Sequence, residues 1–390
     1  MSYILGTYLR SVKENFVKGK GCYLYTNKGE KYLDFVQGIA VNALGHNHEH
    51  LVKTMKNKAD KPWHLSNLFL IQEQEKFAKR LCEFTKFDLV GFQNSGTEAT
   101  EASIKIARKY FHTIGQPNKK RIITWKGAFH GRPIAALFAA NNPKHIEGFD
   151  PKVDGFDQVS FADCEALKKA ITDKTAAIMV ETIMGEGGIK EVSDYCLKAL
   201  RELCDEKNIL LILDEVQCGV GRTGDFFAFE KSGIVPDIVP IAKGIGGGFP
   251  LGACLLTKKV SVGMTPGTHG STLGGNPLAM AVGNGVLDII LQDEFLDNVK
   301  KISKYFDQEL ISLKKKYSKI ILEVRGRGLL KGLKLAVDNT KFIETLMKYK
   351  MLVVKAEEQV IRLFPALIVS KKEIDEAISK IDQACKEYNN

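Results

Sequence analysis

The chain has 390 residues, 44% of them hydrophobic and 26% charged, which is enough to bury a large core and to form more than one domain. No apolar run is long enough to cross a bilayer, and residues 1–16 lack the charged-then-apolar order of a secretory signal. We therefore expect a cytoplasmic protein without a membrane partner.

The formal net charge of +10 raises the question of nucleic-acid binding. Basic residues are spread along the chain, and their densest cluster, Lys314–Lys316, lies on a stretch with the pattern of a solvated helix. A nucleic-acid surface would concentrate its charge and interleave it with aromatic residues. We expect no nucleic-acid partner, and a positive field that suits anionic ligands.

The eight cysteines stand singly, without the short paired spacings of a disulfide framework or a zinc site. We therefore expect reduced thiols and no metal. Their positions are Cys22, Cys82, Cys164, Cys196, Cys204, Cys218, Cys254 and Cys385.

Apolar strands alternate with helical stretches from about Leu44 to Val286. This alternation predicts an α/β fold whose central sheet is mainly parallel and is covered on both faces. The predicted strands are Leu89–Phe92, Arg121–Thr124, Ala176–Val180, Ile209–Leu213, Ile238–Ile241 and Ala253–Leu256, with helices such as Ser193–Lys207 between them.

The pattern changes towards the end of the chain. Helical spacing runs from Phe295 to Tyr317, short strands and helices follow, and the last predicted helix is Lys371–Tyr388. We interpret this tail and the first residues as a smaller α+β domain. The predicted division is an N-terminal segment of the small domain at 1–43, a large domain at 44–286 and a C-terminal small domain at 287–390.

The segment from Gln93 to Ala99 joins the first of these strands to a helix. Backbone N–H groups at a helix start attract phosphate, Gly96 permits close approach, and the hydroxyl of Thr97 adds a donor. A serine or threonine with a nearby glutamate is also ordinary helix capping. This motif alone leaves both interpretations open.

Arginine is rare here, with ten arginines among 56 basic residues. Arg132 lies between glycine and proline, three residues after Phe129, so a planar cation for a carboxylate would stand beside a ring able to stack. A core role is the alternative for Phe129. Arg362 lies in a strand-like run, where a buried cation needs an anionic partner.

Lys243 closely follows the strand Ile238–Ile241 and precedes a glycine run, and Asp214 follows the strand Ile209–Leu213. A lysine amine can form a Schiff base with an aldehyde and move protons, and an aspartate can keep a pyridine nitrogen protonated. Carboxylate and amine at two strand ends, 29 residues apart, predict a pyridoxal 5'-phosphate site. The alternative is a surface lysine and a strand cap.

Taken in order, these segments resemble the class III aminotransferases that use pyridoxal phosphate. The resemblance runs nearly end to end and implies the fold-type-I architecture of that family, and within it the chain is most similar to the branch that acts on acetylornithine. The matching segments are Tyr32–Phe35 with Gly38–His46, Ser95–Ala99, Phe129–Arg132, Gly185–Gly188, Asp214–Gln217 with Gly221–Gly224, Ala242–Gly244 and Gly270–Thr272.

The resemblance assigns the cofactor to specific residues. Lys243 would carry it covalently, Asp214 would pair with its pyridine nitrogen, and Phe129 would stack on its ring. The remaining cofactor-binding residues would be Gly96 and Thr97 at the phosphate, Gln217 near the phenolic oxygen, Glu215 and Val216 in the same segment, and Thr272.

The resemblance also implies substrate residues and a homodimer with shared active sites. Arg132 would bind the α-carboxylate of acetylornithine, and Arg362 that of glutamate or 2-oxoglutarate. Glu186 would neutralise Arg362 and so act as a gate. Thr272 would reach the phosphate of the neighbouring subunit, with Ser271 beside the substrate.

The implied reaction moves the distal amino group of N2-acetyl-L-ornithine to 2-oxoglutarate, giving N-acetyl-L-glutamate 5-semialdehyde and L-glutamate, a step of arginine biosynthesis. Ornithine, 4-aminobutyrate or succinyl-diaminopimelate as donor is the alternative within the family, and an aminomutase is a further one. A non-catalytic nucleotide-binding module would need a phosphate-binding glycine motif in the right context, which is absent from the sequence.

Some positions depart from the family pattern. Thr182 and Met184 stand where relatives often have proline and glutamine, and Thr100 stands where asparagine is frequent. None of these changes removes a group that does chemistry. Because Thr182 and Met184 border the expected pocket, they bear on substrate preference.

Overall fold

The fold is described by a computed structural model for residues 3–7 and 14–388. Positions 1–2 and 8–13 of the predicted N-terminal segment, and 389–390 of the predicted C-terminal domain, lie outside the described residues. Within the described residues, no helix has both the length and the hydropathy needed to span a membrane.

The strands alternate with the helices along most of the chain. In order, the strands are β1 (Phe16–Lys20), β2 (Tyr23–Thr26), β3 (Lys31–Asp34), β4 (Leu89–Gln93), β5 (Arg121–Trp125), β6 (Phe156–Val159), β7 (Thr175–Glu181), β8 (Ile183–Met184), β9 (Lys190–Glu191), β10 (Leu210–Asp214), β11 (Ile238–Ile241), β12 (Gly252–Leu256), β13 (Ile321–Arg325), β14 (Lys331–Leu335), β15 (Met351–Leu352), β16 (Val354–Ala356) and β17 (Val360–Leu363).

The helices are mostly amphipathic and cover the sheets. They are α1 (Gln37–Ala40), α2 (Glu49–Lys56), α3 (Gln72–Thr85), α4 (Gly96–Thr113), α5 (Ile134–Ala140), α6 (Pro143–Ile146), α7 (Cys164–Ala170), α8 (Asp194–Glu206), α9 (Pro277–Ile290), α10 (Phe295–Lys316), α11 (Asn339–Lys348) and α12 (Lys371–Glu387). Short 3-10 turns lie at Glu230–Ser232, Lys243–Gly246 and Lys258–Gly263.

The central sheet has the order β4-β12-β11-β10-β7-β5-β6. Neighbouring strands from β11 to β6 pair in parallel, whereas β12 is antiparallel to both β11 and β4. The predicted mainly parallel α/β fold is therefore confirmed, with β12 as the antiparallel member. Every residue of β7, β10 and β11 is buried, which explains their continuous apolar sequences.

The six predicted strands are all present, and β6 is the one strand of this sheet that the sequence did not reveal. It lies at the edge, and its sequence Phe-Asp-Gln-Val places two polar residues between the buried Phe156 and Val159. An edge strand needs less apolar surface than a central one, so the sequence lacks the continuous run by which the others were found.

The parallel strands bring their carboxyl ends to one edge of the sheet. Asp214, the last residue of β10, pairs in register with Glu181, the last residue of β7. Lys243 comes two residues after the end of β11. Because open α/β sheets bind ligands at the carboxyl ends of their strands, this edge is the place to look for a site.

Strands from the first and last parts of the chain belong to one sheet. Strands β1, β2 and β3 form a sheet with β15, in which Leu33 pairs with Met351. A second four-stranded sheet has the order β13-β14-β17-β16, and β8 and β9 form a small ribbon. The predicted boundaries near residues 43 and 286 stay predictions, and α9 continues across the second one to Ile290.

Candidate active site

A cavity of about 520 Å³ opens at the carboxyl edge of the central sheet. It is lined by residues at or after the carboxyl ends of β4, β5, β7, β10 and β11, by the turn around Gly38 and by the loop before β12. Nine of the predicted site residues line it: Gly96, Thr97, Phe129, Arg132, Glu186, Asp214, Val216, Gln217 and Lys243.

Lys243 is held in an unusual backbone conformation at this cavity. Its φ is +49°, a left-handed value that a non-glycine residue adopts only when its surroundings impose it. Burial lowers the pKa of the Lys243 amine to about 8, and the positive charge of Arg362 lowers it further against the opposing carboxylates. An amine with such a pKa is partly neutral near neutral pH and can act as a nucleophile or base.

Asp214 is fixed by two hydrogen bonds. Its Oδ2 lies 2.8 Å from His130 Nδ1, and its Oδ1 accepts a bond of 3.0 Å from the backbone N–H of Val216. Burial alone would lower the pKa of His130, but the carboxylates of Asp214 and Glu181 outweigh burial and raise that pKa above its ordinary value. The sequence analysis gave His130 no role, although it stands inside the recognised segment between Phe129 and Gly131.

Glu181 is a second buried carboxyl group that the sequence analysis missed. It accepts hydrogen bonds from the backbone N–H groups of Phe129, at 2.9 Å, and Gly185, at 3.2 Å. Burial raises the pKa of Glu181 to about 7, and the neighbouring Asp214 adds to the effect against the opposing His130. The available signal was a carboxylate at the end of a fully buried strand, the same signal that identified Asp214.

The start of α4 shows the helix cap predicted as one interpretation of the Gln93–Ala99 segment, and phosphate binding there stays a prediction. Ser95 caps the helix by accepting a hydrogen bond of 3.3 Å from the backbone N–H of Glu98. Thr97 is then free for another partner, and its buried Oγ1 has none within the described residues. A Cβ on Gly131 would lie 1.9 Å from that oxygen, so the glycine keeps the space beside Thr97 open.

A similar opening surrounds Gln217. Its Oε1 is buried without a hydrogen-bond partner among the described residues. A Cβ on Gly185 would lie 1.8 Å from this atom, so a side chain there would displace the Gln217 amide from its present position. Unpartnered polar atoms on Thr97 and Gln217 give the cavity wall acceptors and donors for a polar ligand.

Arg132 and Phe129 lie together at the exposed side of the cavity. The guanidinium carbon of Arg132 is 5.5 Å from the centre of the Phe129 ring, and Arg132 Nη2 is 3.2 Å from His145 Nε2. The structure gives Arg132 no carboxylate partner within hydrogen-bond distance among the described residues. The cation is therefore available to an anionic ligand.

Arg362 does not line the cavity itself but is paired with Glu186, which does. Arg362 Nη2 is 2.8 Å from Glu186 Oε2 and also donates a bond of 2.8 Å to the carbonyl oxygen of Lys355. Its Nε and Nη1 are buried without partners in the described part of the chain. Burial lowers the pKa of Arg362, and Glu186 opposes that shift. Glu186 thus supplies the anionic partner that a cation in a buried strand requires.

Besides Arg362, three predicted site residues do not line the cavity. Glu215 is fully buried on the other side of its strand end, where it accepts hydrogen bonds from Thr182 Oγ1, at 2.5 Å, and from the backbone N–H of Ala228, at 2.9 Å. Ser271 and Thr272 line a separate surface pocket next to Asn94. The structure therefore separates these three residues from Lys243 within one chain.

Comparison with known proteins identifies the family to which this chain is similar. A family model described as aminotransferase class-III matches residues 8–385. The acetylornithine aminotransferase of Agrobacterium fabrum is 53% identical over 369 residues, covering 95% of this chain and 92% of the relative.

Two solved structures are also similar. The ornithine aminotransferase of Toxoplasma gondii superposes with a TM-score of 0.95 at 30% identity, over 99% of this chain and 93% of that one. The N-acetylornithine aminotransferase of Stenotrophomonas maltophilia has a TM-score of 0.85 at 34% identity, over 97% of this chain and 96% of that one.

Because several carboxyl groups are buried, we expect the free energy of unfolding to depend on pH. Burial raises the pKa of Glu215 from 4.5 to about 7, so the folded chain holds this proton more tightly than the unfolded chain does. The resulting stabilisation is complete below about pH 4.5 and is lost as the pH rises through about 7. We expect Glu215→Gln to remove part of this decline, on the order of 3 kcal/mol.

The measurement is the free energy of unfolding between pH 5 and pH 8, with the exposed Glu75→Gln as the matched control. Glu181 leaves a residual slope in the Glu215 variant, because burial raises its pKa to the same range. If Glu215→Gln and the parent lose stability in parallel as the pH rises, the buried carboxyl group is not the cause.

Proposed function

Since the chain belongs to the class III aminotransferases, we propose that it transfers the distal amino group of N2-acetyl-L-ornithine to 2-oxoglutarate. The products are N-acetyl-L-glutamate 5-semialdehyde and L-glutamate, and the reaction is a step of arginine biosynthesis. The observation that carries this proposal is a pair of arginines in different states: Arg132 lines the cavity and is available, whereas Arg362 is paired with Glu186, which lines the cavity.

The arginine arrangement suits two substrates of different charge. An acetylated ornithine presents one carboxylate, which Arg132 binds at the cavity mouth while Glu186 keeps Arg362 neutralised. The dicarboxylate 2-oxoglutarate has two anionic groups instead of one. One of its carboxylates binds Arg362 after Glu186 moves aside. The two unpartnered nitrogens of Arg362 make this exchange favourable, because they gain hydrogen bonds that Glu186 does not supply.

Pyridoxal 5'-phosphate is the cofactor of this proposal, and the cavity fits it. The start of α4 with Thr97 provides phosphate donors, Phe129 provides a stacking ring, and Asp214 provides a carboxylate for the ring nitrogen. Gln217 offers a further polar contact on the cavity wall. When bound, the cofactor supplies an aldehyde that takes up the amino group and a protonated ring that withdraws electrons from the reacting carbon.

The protein's own groups hold and move the protons. Lys243 Nζ takes the proton from the donor's distal carbon, and its pKa of about 8 leaves about a tenth of the free amine neutral at pH 7. His130 holds Asp214 in one orientation through the bond to Oδ2. Glu181 anchors the backbone of Phe129 and so keeps that ring against the cavity.

A homodimer with shared active sites is part of the proposal, and an exposed apolar patch supports it. Trp63, Leu68, Phe69 and Leu70 are 61%, 90%, 65% and 75% exposed, more apolar surface than a short loop ordinarily leaves in water. Asn67 joins this loop to the segment of Thr272 by donating to the carbonyl oxygens of Ser271, at 3.1 Å, and Gly274, at 3.0 Å.

Ser271 and Thr272 lie outside the cavity of their own chain. If a second copy of the chain docks on this patch, Ser271 and Thr272 of each copy would lie at the cavity of the other copy. The interface would then complete both sites. A cytoplasmic location is also proposed, and it is supported by the eight cysteines, all of which are free thiols.

The substrate proposal predicts an ordering of donors. Glutamate formation from 2-oxoglutarate should be fastest with acetylornithine and slower with ornithine, 4-aminobutyrate and succinyl-diaminopimelate. Arg132→Lys should lower kcat/KM for acetylornithine by about 10- to 100-fold, because an ammonium cannot make the bidentate contact to the α-carboxylate. Cofactor content should stay at the parent's level.

The matched control is Arg121→Lys, an arginine of β5 that bonds Asp157 outside the cavity. A parent that prefers one of the other donors would contradict the substrate assignment. Unchanged kinetics for Arg132→Lys would contradict the role of Arg132 without touching the reaction class. Conversion of donors without any need for 2-oxoglutarate would instead favour an aminomutase.

The dimer proposal predicts that charge on the apolar patch separates the subunits. Phe69→Asp should shift the sedimentation coefficient from dimer to monomer and reduce turnover, since each site would lose the residues lent by its partner. Phe149→Asp, at an equally exposed phenylalanine away from the patch, should leave the dimer intact. A Phe69→Asp protein that stays dimeric with full turnover would show that another surface forms the interface.

A further inference from the structure

Two cysteines that are distant in sequence meet on one face of the protein. Cys164 begins α7 and Cys196 lies in the first turn of α8, 32 residues later, and their Sγ atoms are 3.9 Å apart. The two cysteines are too far apart in sequence for their spacing to predict the pair. Of the other six cysteines, five are buried and Cys82 is half-buried.

The two thiols differ in access to solvent. Cys164 is half-buried, whereas Cys196 is 6% exposed and packs in the main hydrophobic core beside Leu197. Burial and the adjacent Cys164 raise the pKa of the Cys196 thiol to about 12. Because Cys164 is the more accessible of the two, it is the thiol that an oxidant in solution reaches first, and Cys196 is the thiol in contact with it.

We propose that Cys164 and Cys196 form an oxidisable pair that becomes an intramolecular disulfide when the protein meets a hydroperoxide. In the first step the thiolate sulfur of Cys164 attacks one oxygen of hydrogen peroxide, and the O–O bond breaks. That oxygen stays on Cys164 as a sulfenic acid, and the other oxygen takes up a proton and leaves as water. The Cys196 sulfur then attacks the Cys164 sulfur, its proton goes to the leaving hydroxyl group, and a second water departs. The two thiols lose two electrons, and hydrogen peroxide accepts both.

The contact distance supports this step. The sulfur atoms touch at 3.9 Å, and bond formation needs them at about 2 Å, so a side-chain rotation at the half-exposed Cys164 has to close the gap. Cys164 is the first residue of a seven-residue helix and is the less buried of the two cysteines, so its side chain is the one that turns. A protein-wide rearrangement is not required.

The position of the pair gives the disulfide a structural consequence. Helix α7 leads into β7, which ends at Glu181, and α8 leads into β10, which ends at Asp214. A disulfide between α7 and α8 would therefore connect two helix–strand units, α7–β7 and α8–β10, which end at the buried carboxyl groups of Glu181 and Asp214. Neither sulfur lines the cavity, so the reduced pair has no part in the transamination proposed above.

The test treats the purified full chain with hydrogen peroxide, blocks the remaining thiols, digests without reductant and maps the peptides by mass spectrometry. We expect a linked peptide pair containing Cys164 and Cys196, two hydrogen atoms lighter than the sum of its parts, which dithiothreitol separates. Cys164→Ser should abolish the linked pair and keep full turnover. Cys82→Ser, the matched half-buried control, should retain the pair.

A second variant tests the order of attack. In Cys196→Ser the sulfenic acid on Cys164 has no partner, so dimedone should label Cys164, whereas Cys196 in Cys164→Ser should stay unlabelled. Peroxide treatment that oxidises Cys82 or links subunits while leaving Cys164 and Cys196 as thiols would overturn the proposal. Because turnover is not the readout, this result is independent of the substrate assignment.

Discussion

The hydrogen bond between Asp214 Oδ2 and His130 Nδ1 is the interaction on which the site depends. It is 2.8 Å long, and both side chains are almost fully removed from water. A buried carboxyl group is unfavourable unless it is paired, and His130 is the partner of Asp214. The parallel register of β7 and β10 adds Glu181 beside the pair, and burial together with Asp214 favours the proton on that second carboxyl group.

The cavity is left with more polar groups than the protein itself satisfies. The buried atoms Thr97 Oγ1, Gln217 Oε1 and His130 Nε2, with two nitrogens of Arg362, have no hydrogen-bond partner among the described residues. Native proteins pair most such atoms, so a concentration of unpaired ones around a single cavity indicates a polar ligand. Glycines at 131 and 185 keep the adjoining space free of side chains.

The features that could be predicted most readily from the sequence are those marked by a continuous run of apolar residues. The buried strands of the central sheet were recognisable because each is apolar throughout, and Lys243 and Asp214 were found because each follows such a strand. Contacts across the fold were harder to predict. His130 reaches Asp214 over 84 positions, and Glu215, next to Asp214 in the chain, is held away from the cavity by hydrogen bonds from Thr182 and Ala228. Cys164 and Cys196 likewise meet through the packing of two helices.

The central claim is that Lys243 carries pyridoxal phosphate, and borohydride trapping tests it most directly. The purified chain is incubated with pyridoxal phosphate, reduced with borohydride, digested and mapped by mass spectrometry. We predict that the pyridoxyl group is found on the peptide containing Lys243 and is absent there in Lys243→Ala, a variant that should keep the parent's circular dichroism spectrum. A chain that takes up no label, or carries it on other lysines while Lys243 stays unmodified, would contradict the account.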